Sequence, residues 1–195
     1  MTTRPPIVLA SSSAYRKALL ARIGIECRSL APDIDESPLP GETPVTTALR
    51  LAGAKALKIG ERESAGLIIG SDQVAVLGTR VIGKPGTHAA ATEQLRSMSG
   101  KTVTFHTALC LLNAATGAMQ SASVPTTVRF RRMDAAQIER YLLRDRPYDC
   151  AGSAKIESLG ITLVERVDSE DPTALIGLPL IALTGMLLQE DVVMP

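Results

Sequence analysis

The sequence is poor in aromatic residues, with no Trp, three Tyr and two Phe among 195 residues. Proteins that hold single-stranded nucleic acid stack the bases on aromatic side chains, and binders of duplexes concentrate positive charge. This chain has 21 Lys and Arg against 20 Asp and Glu, so its net charge is only +1. Both features argue against a nucleic-acid-binding protein.

Cysteine and histidine are also scarce, with three and two copies. Cys27, Cys110 and Cys150 are far apart, and no CxxC motif or Cys/His cluster accompanies them, which argues against a zinc site. Their apolar surroundings predict buried free thiols. Because no secretory hydrophobic region precedes the first apolar run, we expect a reduced, cytoplasmic setting.

One uncharged segment, "PTALIGLPLIALTGMLLQ" at 172–189, approaches the length of a membrane-spanning helix. Pro179 divides it, and both flanks are acidic, without the basic residues that anchor a spanning helix. The pattern instead predicts a short buried helix with Pro179 as its first residue, and no membrane association.

The remaining pattern alternates strand-like and helix-like segments, several of them joined as hairpins. It predicts an α/β fold with a mixed sheet and flanking helices, formed by one domain over residues 1–195 with two lobes around a cleft. The predicted strands are 7–10, 26–30, 67–77, 79–83, 102–113 and 124–133. The predicted helices are 13–24, 45–63, 87–100, 135–144 and one that begins at Pro179.

The strand "LIIGSDQVAV" at 67–76 carries a carboxylate, Asp72, inside an otherwise apolar run. A carboxylate is costly to bury unless it is paired, hydrogen-bonded or bound to a metal. Asp72 is therefore predicted to belong to a functional site. The acidic loop "DIDES" at 33–37 is a weaker candidate, because such loops are usually just solvated.

Three basic segments could complete the site. In "LASSSAYRKALL", Ser11, Ser13 and Arg16 at a helix start could bind an anion; alternatively, Ser13 only caps the helix and Arg16 is solvated. Lys55 lies at the edge of the apolar stripe of its helix and can extend its ammonium to a cleft margin. Lys84, before a proline, is presented from extended backbone.

Carboxylates together with basic residues suit a substrate that carries phosphate and a divalent cation. The sequence contains no HExxH, GxSxG or P-loop motif. A Ser–His–acid hydrolase that uses His88 or His106 stays open, although no nucleophile-elbow sequence supports it.

The order and spacing of seven segments resemble the Maf family of nucleotide pyrophosphatases, from Ile7 to about Leu188. The segments are "LASSSAYR", "DIDES", "RLAGAKA", "GSDQVAV", "GKP", "AGSAKIESLGITL" and "GLPLIAL". The resemblance implies a fold similar to that of the inosine-triphosphate pyrophosphatases. It also implies hydrolysis of nucleoside triphosphates to monophosphate and pyrophosphate with a divalent metal, Mg²⁺ or Mn²⁺, and a homodimer, which many members form.

Carried over by motif position, the resemblance gives several side chains a role. The implied phosphate contacts are Ser11, Ser13, Arg16, Lys55 and Lys84. Glu36 and Asp72 would be metal-linked carboxylates, with Asp72 as the proton acceptor for the attacking water.

Two further positions bear on the choice of base. Members that take dTTP and UTP usually have Thr after the catalytic Asp and Gln in the late motif, where this chain has Gln73 and Glu157. Those two residues, with Tyr15 at an aromatic position that is commonly Trp, resemble the branch that hydrolyses 7-methyl-GTP and so clears modified nucleotides. A methylated guanine carries positive charge, which an aromatic face and a carboxylate can both recognise. The alternatives are a dTTP/UTP pyrophosphatase and, since Maf proteins have been linked to cell division, a nucleotide-binding regulator without turnover.

Overall fold

The computed structural model describes residues 5–194, so the predicted domain's residues 1–4 and 195 lie outside the described residues. Its helices are α1 (Ala14–Arg22), α2 (Pro44–Gly60), α3 (His88–Met98), α4 (Ala135–Asp145) and α5 (Leu180–Gln189). Its strands are β1 (Ile7–Leu9), β2 (Arg28–Ser29), β3 (Leu67–Leu77), β4 (Arg80–Ile82), β5 (Thr102–Asn113), β6 (Met119–Phe130) and β7 (Val164–Ser169). Short 3₁₀ turns occupy Ala151–Ser153, Leu159–Leu163 and Ala174–Ile176. The predicted α/β class is confirmed.

The strands form a mixed sheet in the order β2-β1-β3-β5-β6-β7, with β4 paired to β3 outside this path. β1 runs parallel to both β2 and β3, with Val8 opposite Arg28 and Ile7 opposite Leu67. β4 and β7 run antiparallel to β3 and β6. β1 and the first half of β3 are buried without interruption, as is typical of parallel strands that are covered on both faces.

The chain forms two compact units. The first contains the residues up to Gln73, Thr107–Val124 and the residues from Asp171 on, and its core joins β1, β3, α1 and α5. The second contains Val74–His106 and Pro125–Glu170, and in it α3 packs against α4.

A close approach of α2 to β3 positions the first unit's polar residues. α2 begins with Pro44 after a reciprocal cap between Thr43 and Thr46, and it buries small residues, including Ala52 and Ala56. On β3 the facing residue is Gly70, where an added Cβ would lie 2.1 Å from the carbonyl oxygen of Ala52. Helix and strand can approach this closely only because neither carries bulk at the contact.

The structure departs from the sequence prediction mainly where tertiary pairing decides. β2 is shorter than predicted, and β6 starts five residues earlier than predicted. The charged edge strand β7 was not predicted, because only its pairing with β6 makes it a strand. α5 starts at Leu180 and not at Pro179. Its first amide groups are capped by more distant side chains, since Thr173 Oγ1 accepts from Leu180 and Asp171 Oδ2 accepts from Ile181. Within residues 5–194, no helix combines the length and hydropathy that a membrane span requires.

Candidate active site

The carboxylate of Asp72, in the middle of β3, meets the ammonium of Lys55 from α2. Lys55 Nζ lies 2.6 Å from Asp72 Oδ1 and also 2.6 Å from Oε1 of Glu36, which the acidic loop supplies. Asp72 and Lys55 are 7% and 5% exposed, whereas the Glu36 side chain is 56% exposed. The carboxylate inside the apolar strand is thus paired, as the cost of its burial requires.

A second cation, Arg16, lies within electrostatic reach of the same carboxylates. Its Nε donates to the carbonyl oxygen of Gly177 at 2.8 Å, and its Nη1 donates to Ser11 Oγ at 3.2 Å. Burial lowers the pKa of Arg16, and the negative charges of Asp72 and Glu36 oppose that shift. Arg16 is half-buried and anchored, so the alternative interpretation of a solvated surface residue is wrong.

The serine cluster lies where β1 leads into α1. Ser13 caps the helix, with its Oγ accepting from the amide of Arg16 at 3.4 Å, which confirms the capping interpretation for this residue. Its own amide donates to Ser11 Oγ at 3.1 Å. Tyr15 occupies the first turn of α1 and is half-buried. A helix start with hydroxyl groups and an arginine can receive an anion.

Gln73 follows Asp72 on β3, and its amide nitrogen is already engaged within the first unit. Nε2 donates to Thr107 Oγ1 at 2.8 Å and to the carbonyl oxygens of Ala174 at 3.0 Å and Leu175 at 3.2 Å. Among the described residues no hydrogen bond reaches its Oε1. A base contact from Gln73 would therefore use the oxygen, an acceptor.

Sequence reasoning missed the anchor of the acidic loop. Arg50 of α2 binds the carboxylate of Glu42 through Nε and Nη2, and its Nη2 also donates to the carbonyl oxygen of Ser37 at 3.0 Å. This clamp fixes the loop that carries Glu36 to the helix that carries Lys55. The sequence places Arg50 off the apolar stripe, and nothing local links it to Glu42.

Ser71 was also missed, although it stands next to Asp72. It is fully buried, and its Oγ lies 2.8 Å from the carbonyl oxygen of Ala108 and 2.9 Å from that of Gly177. Gly177 thus accepts from both Ser71 and Arg16, which joins β3 to the guanidinium. The sequence signal is a second polar residue inside the apolar run.

The other two predicted site residues lie in the second unit. Lys84 is exposed in the segment between β4 and α3, and Glu157 is exposed in the turn between two 3₁₀ segments. The turn is tight, because the carbonyl oxygen of Lys155 accepts from the amides of Ser158 and Gly160. Both side chains are available to a ligand, and their roles stay predictions.

Neither histidine forms a catalytic pair with serine. His88 bonds Tyr148 Oη at 3.0 Å and Glu139 Oε2 at 2.9 Å, while burial lowers the pKa of His106. Across residues 5–194, no hydrogen bond joins either histidine to a serine. The structure gives the Ser–His–acid hydrolase no support.

Comparison with known proteins decides the family. A family model described as Maf-like protein matches residues 6–190. The chain belongs to the Maf family.

Several Maf relatives are similar over nearly their full length. A Cupriavidus metallidurans protein named 7-methyl-GTP pyrophosphatase is 58% identical over 185 residues, covering 95% of this chain and 93% of the relative. Proteins of the same name from Thiobacillus denitrificans and Ralstonia nicotianae are 57% and 55% identical, covering 97% and 94% of this chain and 94% and 95% of theirs. The predicted family resemblance is confirmed.

Maf pyrophosphatases generally use a divalent metal, and the donor set of this chain fits one. Glu36 and Asp72 point hard oxygen ligands at one common position, the Lys55 ammonium. Mg²⁺ is typically bound through one or two carboxylates, with substrate phosphates and water completing its shell. Among residues 5–194 no cluster of three or more His, Cys, Asp or Glu could hold a metal alone. The two carboxylates therefore fit a metal whose remaining ligands are substrate phosphates and water.

Proposed function

We propose that this Maf protein hydrolyses 7-methyl-GTP to 7-methyl-GMP and pyrophosphate and so clears a modified nucleotide. The observation that carries the proposal is an identity of 55–58% with relatives of that name, over about 95% of the chain. The paired carboxylates and neighbouring cations of the first unit are the groups that such a hydrolysis needs.

In the proposed reaction, water attacks the α,β-anhydride, and the bridging oxygen leaves with pyrophosphate. Asp72 takes the proton of the attacking water, a role that suits a carboxylate held in place by Lys55. Arg16, Lys55 and Lys84, with the hydroxyls of Ser11 and Ser13, offset the charge that builds on phosphate oxygens. A divalent metal held by Glu36 and Asp72, Mg²⁺ or Mn²⁺, would supply further charge stabilisation and polarise the water.

Recognition of the base falls in this proposal to Tyr15, Gln73 and Glu157. The ring of Tyr15 provides an aromatic face for the positively charged purine, and the carboxylate of Glu157 provides the opposite charge. Gln73 would accept from a donor on the guanine edge through Oε1, since its Nε2 is bound to Thr107 and Ala174.

We further propose a cytoplasmic enzyme that acts as a homodimer. The three cysteines are all free thiols, which fits a reducing compartment. Only Cys110 is buried, whereas Cys27 and Cys150 are half-buried, so the predicted burial was wrong for those two. Light scattering on the purified protein tests the dimer, and a mass near 20.6 kDa, that of one chain, would contradict it.

The deciding experiment is a substrate panel of 7-methyl-GTP, GTP, UTP and dTTP with Mg²⁺ or Mn²⁺, with products resolved as monophosphate and pyrophosphate. We expect selective turnover of 7-methyl-GTP. Preference for UTP and dTTP would instead support the second pyrophosphatase branch. Binding of nucleotide without any turnover would support the regulator.

A companion variant tests base recognition. Glu157→Gln removes the charge of the exposed carboxylate and should lower kcat/KM for 7-methyl-GTP more than for UTP. Equal losses on both substrates would mean that Glu157 acts in catalysis or structure and does not select the base.

A further inference from the structure

The side chain of Gln94 bridges the two segments of the second unit that carry predicted site residues. Its Nε2 donates to the carbonyl oxygen of Gly83 at 3.0 Å, directly before Lys84. Its Oε1 accepts from Ser153 Oγ at 2.6 Å, four residues before Glu157. One amide group on α3 thus bonds both the segment that carries Lys84 and the segment that carries Glu157.

The bond to Ser153 holds an unusual backbone. Ser153 is fully buried and has a φ of 52°, a left-handed conformation that is unfavourable for a residue with a side chain. Its buried hydroxyl needs an acceptor, which Gln94 supplies. The backbone after Ser153 continues into the tight turn at 155–160, so the position of Ser153 sets where that turn starts.

The two segments are also tied to helix α4 and the residues after it, at other points. The amide of Gly86 donates to the carbonyl oxygen of Tyr148 at 3.0 Å, and the amide of Lys155 donates to Tyr141 Oη at 3.0 Å. Tyr141 is buried, which raises the pKa of its hydroxyl, so it stays a neutral partner. These bonds hold Gly86, two residues after Lys84, and Lys155, two residues before Glu157, while Gln94 joins Gly83 and Ser153 to each other.

We propose that Gln94 is a positioning residue that sets the Lys84 segment and the Glu157 segment jointly, so that phosphate binding and base selection depend on one amide group. The proposal rests on the proposed function, because it takes Lys84 and Glu157 as substrate contacts. Gln94 itself acts through these residues and is not assigned a contact with the substrate.

The two halves of the amide can be tested separately. Gln94→Glu keeps an oxygen for Ser153 but replaces the donor to Gly83, so it should lower kcat/KM for 7-methyl-GTP and GTP by a similar factor. Ser153→Ala removes the other bond and should reduce the preference for 7-methyl-GTP over GTP. Gln94→Leu, which loses both bonds, should show both effects. For each lost hydrogen bond we expect a change of about 3- to 10-fold.

The matched control is Glu93→Gln, next to Gln94 on α3, where an exposed carboxylate pairs with Arg96 across one turn. Glu93→Gln should leave kcat/KM for 7-methyl-GTP and for GTP unchanged, and with them the preference for 7-methyl-GTP. Thermal unfolding of all variants shows whether each one is folded at the assay temperature. A purely structural role of Gln94 would lower stability without changing the preference for 7-methyl-GTP over GTP.

The outcomes separate the two levels of inference. Wild-type protein without preference for 7-methyl-GTP would overturn the proposed function and, with it, the role of Gln94. Wild-type selectivity and unchanged kcat/KM in folded Gln94→Glu and Ser153→Ala would overturn the role of Gln94 alone.

Discussion

The buried Lys55–Asp72 pair makes a quantitative prediction about stability. Lys55→Met preserves the length of the side chain but removes the ammonium that lies 2.6 Å from Asp72. Removing one partner of a buried ion pair typically costs about 3–5 kcal/mol, because the other charge stays buried without compensation. The charge of Arg16 remains within electrostatic reach of Asp72, so we expect a loss near the lower end, about 3 kcal/mol.

The second contact of Lys55 contributes much less to this loss. The Glu36 side chain is 56% exposed, and an ion pair in contact with solvent is worth about 0–1 kcal/mol. Asp72→Asn should therefore cost less than Lys55→Met, because the ammonium keeps its contact with Glu36. In the double variant both charges of the Lys55–Asp72 pair are gone, so neither is left buried without the other, and most of the loss should be recovered.

The assay is urea unfolding of the wild-type protein, both single variants and the double variant at neutral pH. We expect the double variant to be more stable than Lys55→Met alone. If the two single losses simply add, the pair is not coupled and Lys55 does not hold Asp72 as described.

Two further predictions concern the packing and the loop anchor. Gly70→Ala should destabilise the protein by about 2 kcal/mol or more, because its Cβ would lie 2.1 Å from the Ala52 carbonyl oxygen. The control is Gly53→Ala on α2, whose Cβ would lie 3.6 Å from Met119 Cε and which should be neutral or stabilising by up to about 1 kcal/mol. Equal urea midpoints for the two variants would refute the close approach of helix and strand. Hydrogen bonds from Arg50 and, secondarily, from the amide of Leu39 lower the pKa of Glu42 from 4.5 to about 2. These contacts therefore stabilise the folded state above pH 4.5, and that stabilisation is lost as the pH falls through 2. Glu42→Gln should therefore lower Tm at pH 7 but match wild type near pH 2, and a deficit that persists at pH 2 would contradict this origin.

The sequence predicts the local parts of the structure well. β3 has the predicted bounds because its apolar run is long and ends in a hairpin turn, and Ser13 caps α1 because capping depends on the next three residues. The family can be recognised from the order of the motifs, which is read directly from the sequence and does not depend on tertiary contacts.

The parts that were missed depend on distant contacts. The sequence places Lys55 at the edge of the apolar stripe of α2, yet Lys55 is buried, because Gly70 allows α2 to pack closely against β3. The Arg50 clamp and the Gln94 bridge join residues eight to 59 positions apart. Such partners have no signal in a single sequence.

The most direct test of the account is the rate of 7-methyl-GTP hydrolysis by Asp72→Asn, measured beside wild type with the fold checked by circular dichroism. If Asp72 accepts the proton of the attacking water, kcat should fall by about 10²- to 10⁴-fold in a protein that remains folded. A folded Asp72→Asn variant that hydrolyses 7-methyl-GTP at nearly the wild-type rate would contradict the proposed catalytic role.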